Sequence, residues 1–157
     1  MKKLLVISDS HGHRANISAV LGRALDADII IHLGDYSRDA RYIRDCTKLA
    51  VYSLRGNCDF GSDGQDELEL NIEGVRVLAL HGHKQSVKSS LLRLGLYARE
   101  KQADLALFGH THIPVERRFH GVRLYNPGSL GEPRILRPSY GIVHLDNGNI
   151  KITTMKL

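Results

Sequence analysis

Short apolar runs alternate with amphipathic stretches through the first third of the chain. The run from Leu4 to Ile7 is apolar on both faces, which predicts a short strand in the middle of a sheet. Between about Arg14 and Leu25 apolar residues recur at helical spacing, and 28–33 is a second strand pattern. A strand, a helix and a strand in this order predict a parallel pair with a right-handed crossover.

The middle of the chain continues this alternation and adds a hairpin. A short helix is predicted from Ser37 to Cys46 and a strand from Leu49 to Leu54. Glu73-Gly74 separates two further strand patterns, 67–72 and 75–80. A second substantial helix is predicted from Val87 to Lys101, although Gly95 weakens the expectation that it is continuous.

The last third of the chain is rich in strand patterns. Strands are predicted at 104–108, 115–119, 122–125, 140–145 and 150–155. A tight turn at 126–129 follows the third of these strands, and a hairpin turn at 146–149 joins the last two. The sequence contains no repeats, linkers or low-complexity tracts. We therefore expect one compact α/β domain over residues 1–157 that contains two sheets.

Composition narrows the class of protein. An apolar content of 42% and a charged content of 25% are typical of a globular protein. The apolar run behind Lys2 and Lys3 is too short for a signal peptide or a membrane span, so no membrane association and a cytoplasmic location are expected. In that location Cys46 and Cys58 are expected to be reduced thiols.

Charge permits an acidic ligand without requiring one. The net charge of +5 and the pI near 9.4 would suit an acidic substrate or nucleic acid. The basic residues are scattered along the chain, however, with Arg117-Arg118 the densest pair, and aromatic residues are few. A solvated basic surface is therefore favoured over a nucleic-acid binder, except where a nucleotide is the substrate.

Potential metal ligands follow five of the predicted strands. The densest group is Gly109-His110-Thr111-His112, where two imidazoles lie one residue apart in a turn. The complete set consists of Asp9, His11, Asp35, Asn57, His81, His110 and His112. Imidazole nitrogen mixed with carboxylate oxygen suits Mn, Fe, Zn, Co or Ni. Seven side chains are too many for one ion with an open position, but they suit two ions that share a carboxylate.

The order and spacing of these residues resemble the calcineurin-like metallophosphoesterases, particularly their small single-domain phosphodiesterases from bacteria and archaea. The resemblance implies a four-layer α/β fold, with two mixed sheets sandwiched between helices. It also implies that Asp9, His11 and His112 bind one ion, that Asn57, His81 and His110 bind a second, and that Asp35 bridges them.

The chemistry that this resemblance implies is hydrolysis of a small phosphodiester. The reaction would proceed by in-line attack of a metal-bound hydroxide on phosphorus, with two divalent transition-metal ions as cofactors. Manganese is the first expectation for these ions, and Ni, Fe, Zn and Co remain open. The family resemblance also makes a homodimer or higher oligomer an expectation.

Cys58 departs from the pattern of the larger family members, which have a histidine after the asparagine. A thiol is a weak hydrogen-bond donor, and general-acid assistance normally contributes about 10²–10⁴-fold. We therefore predict a preference for diesters or activated esters with good leaving groups. Asn57, Cys58, Asp59 and His83 form the predicted catalytic set, in which Asp59 orients its neighbours and His83 contacts phosphate or supports the ligands. A buried structural role for Cys58 is the alternative.

Several other residues have weaker assignments. Arg134 is a candidate contact for substrate charge, and residues 126–129 resemble a family turn that helps to shape the site. His32 is expected in the core and His13 near the rim of the metal site. Substrate specificity is expected in the loops 61–64 and 131–138. Ser10 is unassigned, and His120 and His144 are interpreted as structural or exposed residues.

Two other functions fit the same sequence. One is a protein-binding scaffold on the same fold without catalysis, as in the eukaryotic retromer subunit that the family contains. The other is an enzyme with a different substrate, such as a phosphomonoesterase, a cyclic-nucleotide phosphodiesterase or a nuclease. The complete ligand set disfavours the scaffold, and Cys58 disfavours the phosphomonoesterase.

Overall fold

A computed structural model describes residues 1–61, 64–135 and 137–157. Its strands and α-helices, in chain order, are β1 (Lys2–Ile7), α1 (Arg14–Arg23), β2 (Ile29–His32), α2 (Asp39–Cys46), β3 (Ala50–Ser53), β4 (Glu67–Ile72), β5 (Val75–Leu80), α3 (Leu92–Glu100), β6 (Leu105–Leu107), β7 (Pro114–Phe119), β8 (Val122–Pro127), β9 (Ser139–Asp146) and β10 (Asn149–Lys156). A short 3₁₀ helix covers His83–Gln85.

The strands form two mixed sheets of five strands each. The first sheet has the order β10-β9-β1-β2-β3, in which β1, β2 and β3 are parallel. The second has the order β4-β5-β6-β8-β7, in which β5, β6 and β8 are parallel. The predicted central position of β1 and its parallel pairing with β2 are confirmed.

The sheets pack face to face and helices cover both outer faces. Between the sheets, Val6 and Ile31 of the first pack with Leu105 of the second in one buried cluster. Residues of α1 and α2, such as Ile17 and Ile43, cover the outer face of the first sheet. Helix α3 covers the outer face of the second sheet. The expected four-layer architecture is therefore confirmed. None of the helices in the described part of the chain is long and apolar enough to cross a membrane.

The prediction for the second long helix was wrong at its start. Helix α3 begins at Leu92 rather than Val87, because Ser86 adopts a left-handed conformation (φ 55°) and the Ser90 hydroxyl accepts a hydrogen bond from the Leu92 amide (3.1 Å). The helix is continuous through Gly95, where a Cβ would lie 2.5 Å from Phe119 Cδ1. Glycine at this position therefore allows close packing of α3 on β7.

Two turns in the last third of the chain differ in how well they were predicted. The turn between β9 and β10 has positive φ at Asn147 (45°) and Gly148 (81°), as a tight hairpin requires. The predicted turn at 126–129 begins two residues late, because Asn126 and Pro127 still belong to β8 and pair with β7. This extension places Asn126 beside the loop that follows β6.

Candidate metal centre

The candidate ligands lie in the loops after five parallel strands, three in the first sheet and two in the second. Asp9 and His11 follow β1, Asp35 follows β2 and Asn57 follows β3. In the second sheet His81 follows β5 directly, while His110 and His112 lie in the loop after β6. Ligands in open α/β sheets bind at the carboxyl ends of the strands. Here the carboxyl ends of the parallel strands of both sheets meet.

The structure groups these side chains into two clusters. In the first cluster, one ligand atom from each of Asp9, His11, Asp35 and His112 lies within 4.8 Å of the others. In the second cluster, the same holds for Asp35, His81 and His110. Asn57 adjoins the second cluster, with its Oδ1 atom 3.2 Å from His81 Nε2. His110 and His112 thus lie in different clusters, and Asp35 is common to both.

The two oxygens of Asp35 face different histidines. Oδ2 lies 3.7 Å from His11 Nε2, and Oδ1 lies 3.5 Å from His81 Nε2. Asp35 is only 3% exposed. A buried carboxylate that presents one oxygen to each of two imidazole clusters has the geometry that two-metal sites use for a bridging ligand.

Two buried atoms of the first cluster lack the hydrogen bonds that burial normally requires. Asp9 Oδ1 and His11 Nε2 have no well-aligned hydrogen-bond partner among the described residues, although Asp9 Oδ1 lies 3.1 Å from His112 Nε2. Leaving a buried polar atom unsatisfied costs about 1–3 kcal/mol. A cation between these atoms would remove that cost, so the residues fit a metal ion.

Hydrogen bonds fix the orientation of two of the imidazoles. His81 Nδ1 donates to the Leu33 carbonyl (2.7 Å), and His112 Nδ1 donates to the Glu132 carbonyl (2.7 Å). Each bond places a proton on Nδ1, so Nε2 is the ring nitrogen that faces the cluster. Metal-binding histidines are commonly oriented in this way.

The electrostatics of the clusters also favour a cation. Burial lowers the pKa of His110 to about 4, so this imidazole is neutral at pH 7. Burial alone would raise the pKa of Asp9, but its contacts with His112, His81 and Ser8 hold that pKa below its ordinary value. An ionised carboxylate and a neutral imidazole are the forms that bind metals.

The backbone at the candidate ligands is unusual. Asp9 (φ 51°), His11 (46°), Asp35 (55°), His110 (67°) and His112 (60°) all adopt positive φ. Residues other than glycine rarely adopt this conformation, and it costs about 1–3 kcal/mol each in strained cases. Such strain is concentrated at functional sites in proteins.

Two glycines allow the loops of the site to approach one another. At Gly56 a Cβ would lie 2.9 Å from Asp35 Cγ, so a side chain there would displace the shared carboxylate. At Gly109 a Cβ would lie 2.8 Å from Asp9 Oδ2. Close packing therefore requires glycine both before Asn57 and before His110.

Sequence reasoning missed a hydrogen-bonded network beneath the loop after β1. The Ser10 hydroxyl donates to Asp39 Oδ2 (2.6 Å) and lies 2.8 Å from His32 Nε2, and the Gly12 amide also donates to Asp39 (2.9 Å). His32 is fully buried, as predicted for a core residue. No motif marks this network, because its members come from three separate elements.

Residues 126–129 make hydrogen bonds to the loops that carry the candidate ligands. Asn126 Nδ2 donates to the Gly109 carbonyl (2.8 Å), and the Ser129 hydroxyl donates to the Asp9 carbonyl (2.8 Å). The Glu132 amide in turn donates to the Ser129 hydroxyl (2.8 Å). Asn126 and Ser129 are both fully buried. They hold the two ligand loops without facing either cluster themselves.

Cys58 and Asp59 lie between the second cluster and solvent. Cys58 is exposed, so the interpretation of a buried structural residue was wrong. Local desolvation and the negative charge of Asp35 raise the pKa of its thiol to about 11. The two carboxylate oxygens of Asp59 accept hydrogen bonds from the Ser37 amide (2.7 Å) and the Gly56 amide (2.9 Å). Asp59 therefore orients the loops after β2 and β3.

His83 borders the second cluster. Its ring centroid lies 5.5 Å from that of His81 and 6.1 Å from that of His110. Its Nδ1 atom is buried and has no hydrogen-bond partner among the described residues. Burial lowers the pKa of His83. The imidazole is thus close enough to contact a substrate held at the second cluster.

The remaining candidates lie at the periphery. The Arg134 amide donates to the His112 carbonyl (3.3 Å), so this exposed residue borders the site. His13 is exposed and packs against Gly131, where a Cβ would lie 2.9 Å from His13 Cδ2. His120 is exposed and packs on Phe119, and His144 is half-buried. In the two loops expected to set specificity, positions 62, 63 and 136 lie outside the described residues.

Comparison with known proteins identifies the family. Residues 1–148 match the family model described as the calcineurin-like phosphoesterase superfamily domain. The chain belongs to this superfamily. The probable metallophosphoesterase YsnB of Bacillus subtilis is 37% identical over 147 residues, covering 92% of this chain and 85% of that protein. The family prediction from the sequence, and with it that of a metal-dependent phosphoric ester hydrolase, is confirmed.

Two further relatives extend the comparison. A phosphodiesterase of Methanocaldococcus jannaschii is 26% identical over 148 residues, covering 80% of this chain and 82% of that protein. The crystal structure of a predicted phosphoesterase from Streptococcus pneumoniae superimposes with a TM-score of 0.85 at 26% identity, covering 99% of this chain and 89% of that chain. The superposition confirms the metallophosphoesterase fold.

Proposed function

We propose that this protein is a binuclear metal-dependent phosphodiesterase. The observation that carries the proposal is the position of Asp35, whose two oxygens face two separate histidine clusters. A single ion would occupy only one of these clusters, so a buried carboxylate that faces both of them supports a site for two ions. Six of the seven expected ligands form the two clusters and Asn57 adjoins the second, which also argues against the scaffold without catalysis.

Each cluster would hold one divalent transition-metal ion. Asp9, His11 and His112 would hold the first, Asn57, His81 and His110 the second, and Asp35 would contact both. Manganese is the first candidate, with Ni, Fe, Zn and Co as alternatives for a nitrogen and oxygen donor set. When bound, such a pair supplies a hydroxide nucleophile near neutral pH and neutralises charge on the phosphoryl oxygens.

The protein's own residues define what else the site can do. His83 lies beside the second cluster and would donate a hydrogen bond to a phosphoryl oxygen. Cys58 lies where a proton donor for the leaving group is expected, but a thiol of pKa about 11 is a poor general acid. A substrate whose leaving group needs little protonation is therefore favoured, which supports a diester rather than a monoester. The name of the archaeal relative supports the same class.

The test compares a matched pair of substrates on purified protein. Bis(4-nitrophenyl) phosphate and 4-nitrophenyl phosphate share a leaving group, and each would be assayed after metal removal and after reloading with Mn²⁺, Ni²⁺ or Zn²⁺. We expect hydrolysis of the diester to return with metal and to exceed that of the monoester by at least about tenfold. Elemental analysis should give two ions per chain. Protein that binds metal yet hydrolyses neither ester would contradict the proposal, and a preference for the monoester would reassign the substrate class.

A further inference from the structure

A cavity of about 360 Å³ opens beside the candidate metal centre, between helix α2 and the loop after β3. We call it the arginine pocket and define it by Ser37, Arg38, Arg41, Arg44, Ser53 and Phe60, which all line it. Arg38 is the N-cap residue of α2, and Arg41 and Arg44 follow it at intervals of three residues, a spacing that places side chains on one face of a helix. None of these residues belongs to the two ligand clusters.

The described residues that line the pocket carry more positive than negative charge. Among them are three guanidinium groups and one carboxylate, that of Asp59. Both oxygens of Asp59 already accept backbone hydrogen bonds. Arg44 is held by a hydrogen bond to the Val51 carbonyl (3.2 Å), and the Arg38 guanidinium lies over the Tyr36 ring, 4.6 Å from its centroid. Fixed guanidinium groups are well suited to bind a phosphate.

Two serines that line the pocket have hydroxyls without a partner among the residues that the structure describes. Ser37 Oγ and Ser53 Oγ are buried without a hydrogen bond among the described residues, and Ser37 as a whole is only 7% exposed. Both residues line the cavity. Buried hydroxyls almost always make hydrogen bonds in native proteins. Their position beside three arginines points to an anionic ligand that would accept these bonds.

The pocket adjoins the candidate metal centre. Asp35, which is shared by the two clusters, is two residues before Ser37 in the chain. The Cys58 amide donates to Asp35 Oδ1 (3.0 Å), and Cys58 also lines the pocket. The Tyr36 ring lies between Arg38 and the ring of His11, whose centroid is 5.5 Å away. A substrate bound at the clusters could therefore extend one arm into the pocket.

Phe60 adds an apolar surface to the same wall. It is 93% exposed, the highest exposure among the large hydrophobic residues described. An exposed aromatic ring beside a cationic pocket can stack on a planar ring of a ligand. A nucleoside arm that carries a phosphate would use both features.

We infer that the arginine pocket binds a second phosphate of the substrate. This inference rests on the proposed function and narrows it: the substrate is a phosphodiester in which one ester arm carries an additional phosphate group, as in a phosphorylated nucleoside. The arginines and the serine hydroxyls bind the second phosphate, while the diester phosphorus lies at the ligand clusters.

Kinetics with a second matched pair tests the inference. Thymidine 5′-(4-nitrophenyl phosphate) and its 3′-phosphorylated form differ only in the second phosphate. We expect the KM of the phosphorylated form to be at least about tenfold lower for the wild type, since charge-assisted hydrogen bonds are the strong ones. The double variant Arg38→Gln/Arg41→Gln should lose this ratio, whereas Arg99→Gln, an exposed arginine on α3, should keep it. Equal KM values in the wild type, or a ratio that survives the double substitution, would overturn the inference.

Calorimetric titration without added metal separates the inference from the proposed function. Thymidine 3′,5′-bisphosphate should bind the wild type about tenfold more tightly than it binds the double variant, and more tightly than thymidine 5′-monophosphate binds the wild type. If the bisphosphate binds as expected while no diester is hydrolysed, the assignment of the pocket is supported and the proposed function fails. If diesters are hydrolysed but the bisphosphate binds no better than the monophosphate, the proposed function stands and the pocket assignment fails.

Discussion

The candidate metal centre and the arginine pocket adjoin each other but are built in different ways. The candidate metal centre consists mostly of buried or half-buried side chains that follow the strand ends, with strained backbone and two hydrogen-bonded imidazoles. The arginine pocket consists largely of long, exposed side chains on one helix. Under our two proposals the labour is divided: the buried clusters would provide the chemistry, and the guanidinium groups of the pocket would select the substrate. Four predictions test this division.

The largest effect is expected from Asp35→Asn. The amide keeps the shape of the carboxylate but removes the charge shared by the two clusters. We expect kcat to fall by at least about 10³-fold, beyond the about 10²–10³-fold that the loss of one stabilising donor costs. Elemental analysis should show fewer than two ions per chain. Asp45→Asn, an exposed aspartate on α2, is the matched control and should leave both quantities unchanged.

A smaller effect is expected when support of the centre is removed without removing a ligand. Asn126→Ala deletes the hydrogen bonds to the Gly109 carbonyl and the Thr111 hydroxyl. We expect metal affinity, measured by competition with a chelator, to fall by about 10–100-fold, the usual cost of losing an outer-shell partner. Unchanged affinity would mean that the loop after β6 is held without Asn126. Asn71→Ala, on the edge strand β4, is the control.

The network between the two regions should transmit a modest effect. Ser10→Ala removes the hydroxyl that joins the loop after β1 to Asp39, the first residue of α2. We expect the free energy of unfolding to fall by about 1–3 kcal/mol, because the buried Asp39 and His32 each lose a partner. Urea denaturation measures this change. Ser18→Ala, at an exposed site on α1, should cost less; an equal loss at both positions would show that the network carries no special stability.

The smallest effect is expected at Cys58. If the thiol is a poor proton donor, Cys58→Ser should change kcat for bis(4-nitrophenyl) phosphate by less than about threefold, because nitrophenolate leaves without help. Cys58→His, which supplies an imidazole as a proton donor, should raise kcat for an ester with an alkoxide leaving group, such as methyl phosphate, and leave hydrolysis of the nitrophenyl diester within the same limit. A large loss of diester hydrolysis in the serine variant would show that the thiol takes part in the reaction.

The sequence revealed the metal centre more fully than the pocket. Apolar runs that end in Asp, Asn or His are visible in the chain order, and the parallel sheets bring those ends together. The arginines of α2 looked scattered, because a spacing of three residues is inconspicuous until the helix aligns them against the loop after β3. The exposed state of Cys58 depends on the same loop and could not be predicted from residue types.

Local patterns also failed where distant contacts decide the structure. The start of α3 at Leu92 depends on the left-handed Ser86 and on the hydrogen bond from the Leu92 amide to the Ser90 hydroxyl, whereas the apolar spacing suggested an earlier start. The pairing of β6 with β8, and of β1 with β9, joins strands that are far apart in the chain. Hydrophobic patterns locate strands, but they do not specify which strands become neighbours.

The left-handed backbone at the ligands has a consequence for how this protein can be inactivated. At His110, with φ of 67°, glycine is the residue that adopts the backbone conformation without strain. Replacing this half-buried candidate ligand by glycine would relax the loop while removing an imidazole from the second cluster. We expect such a variant to keep its fold and to lose turnover. The positions that make the centre reactive are therefore also those where an inert, well-folded form of the protein is easiest to obtain.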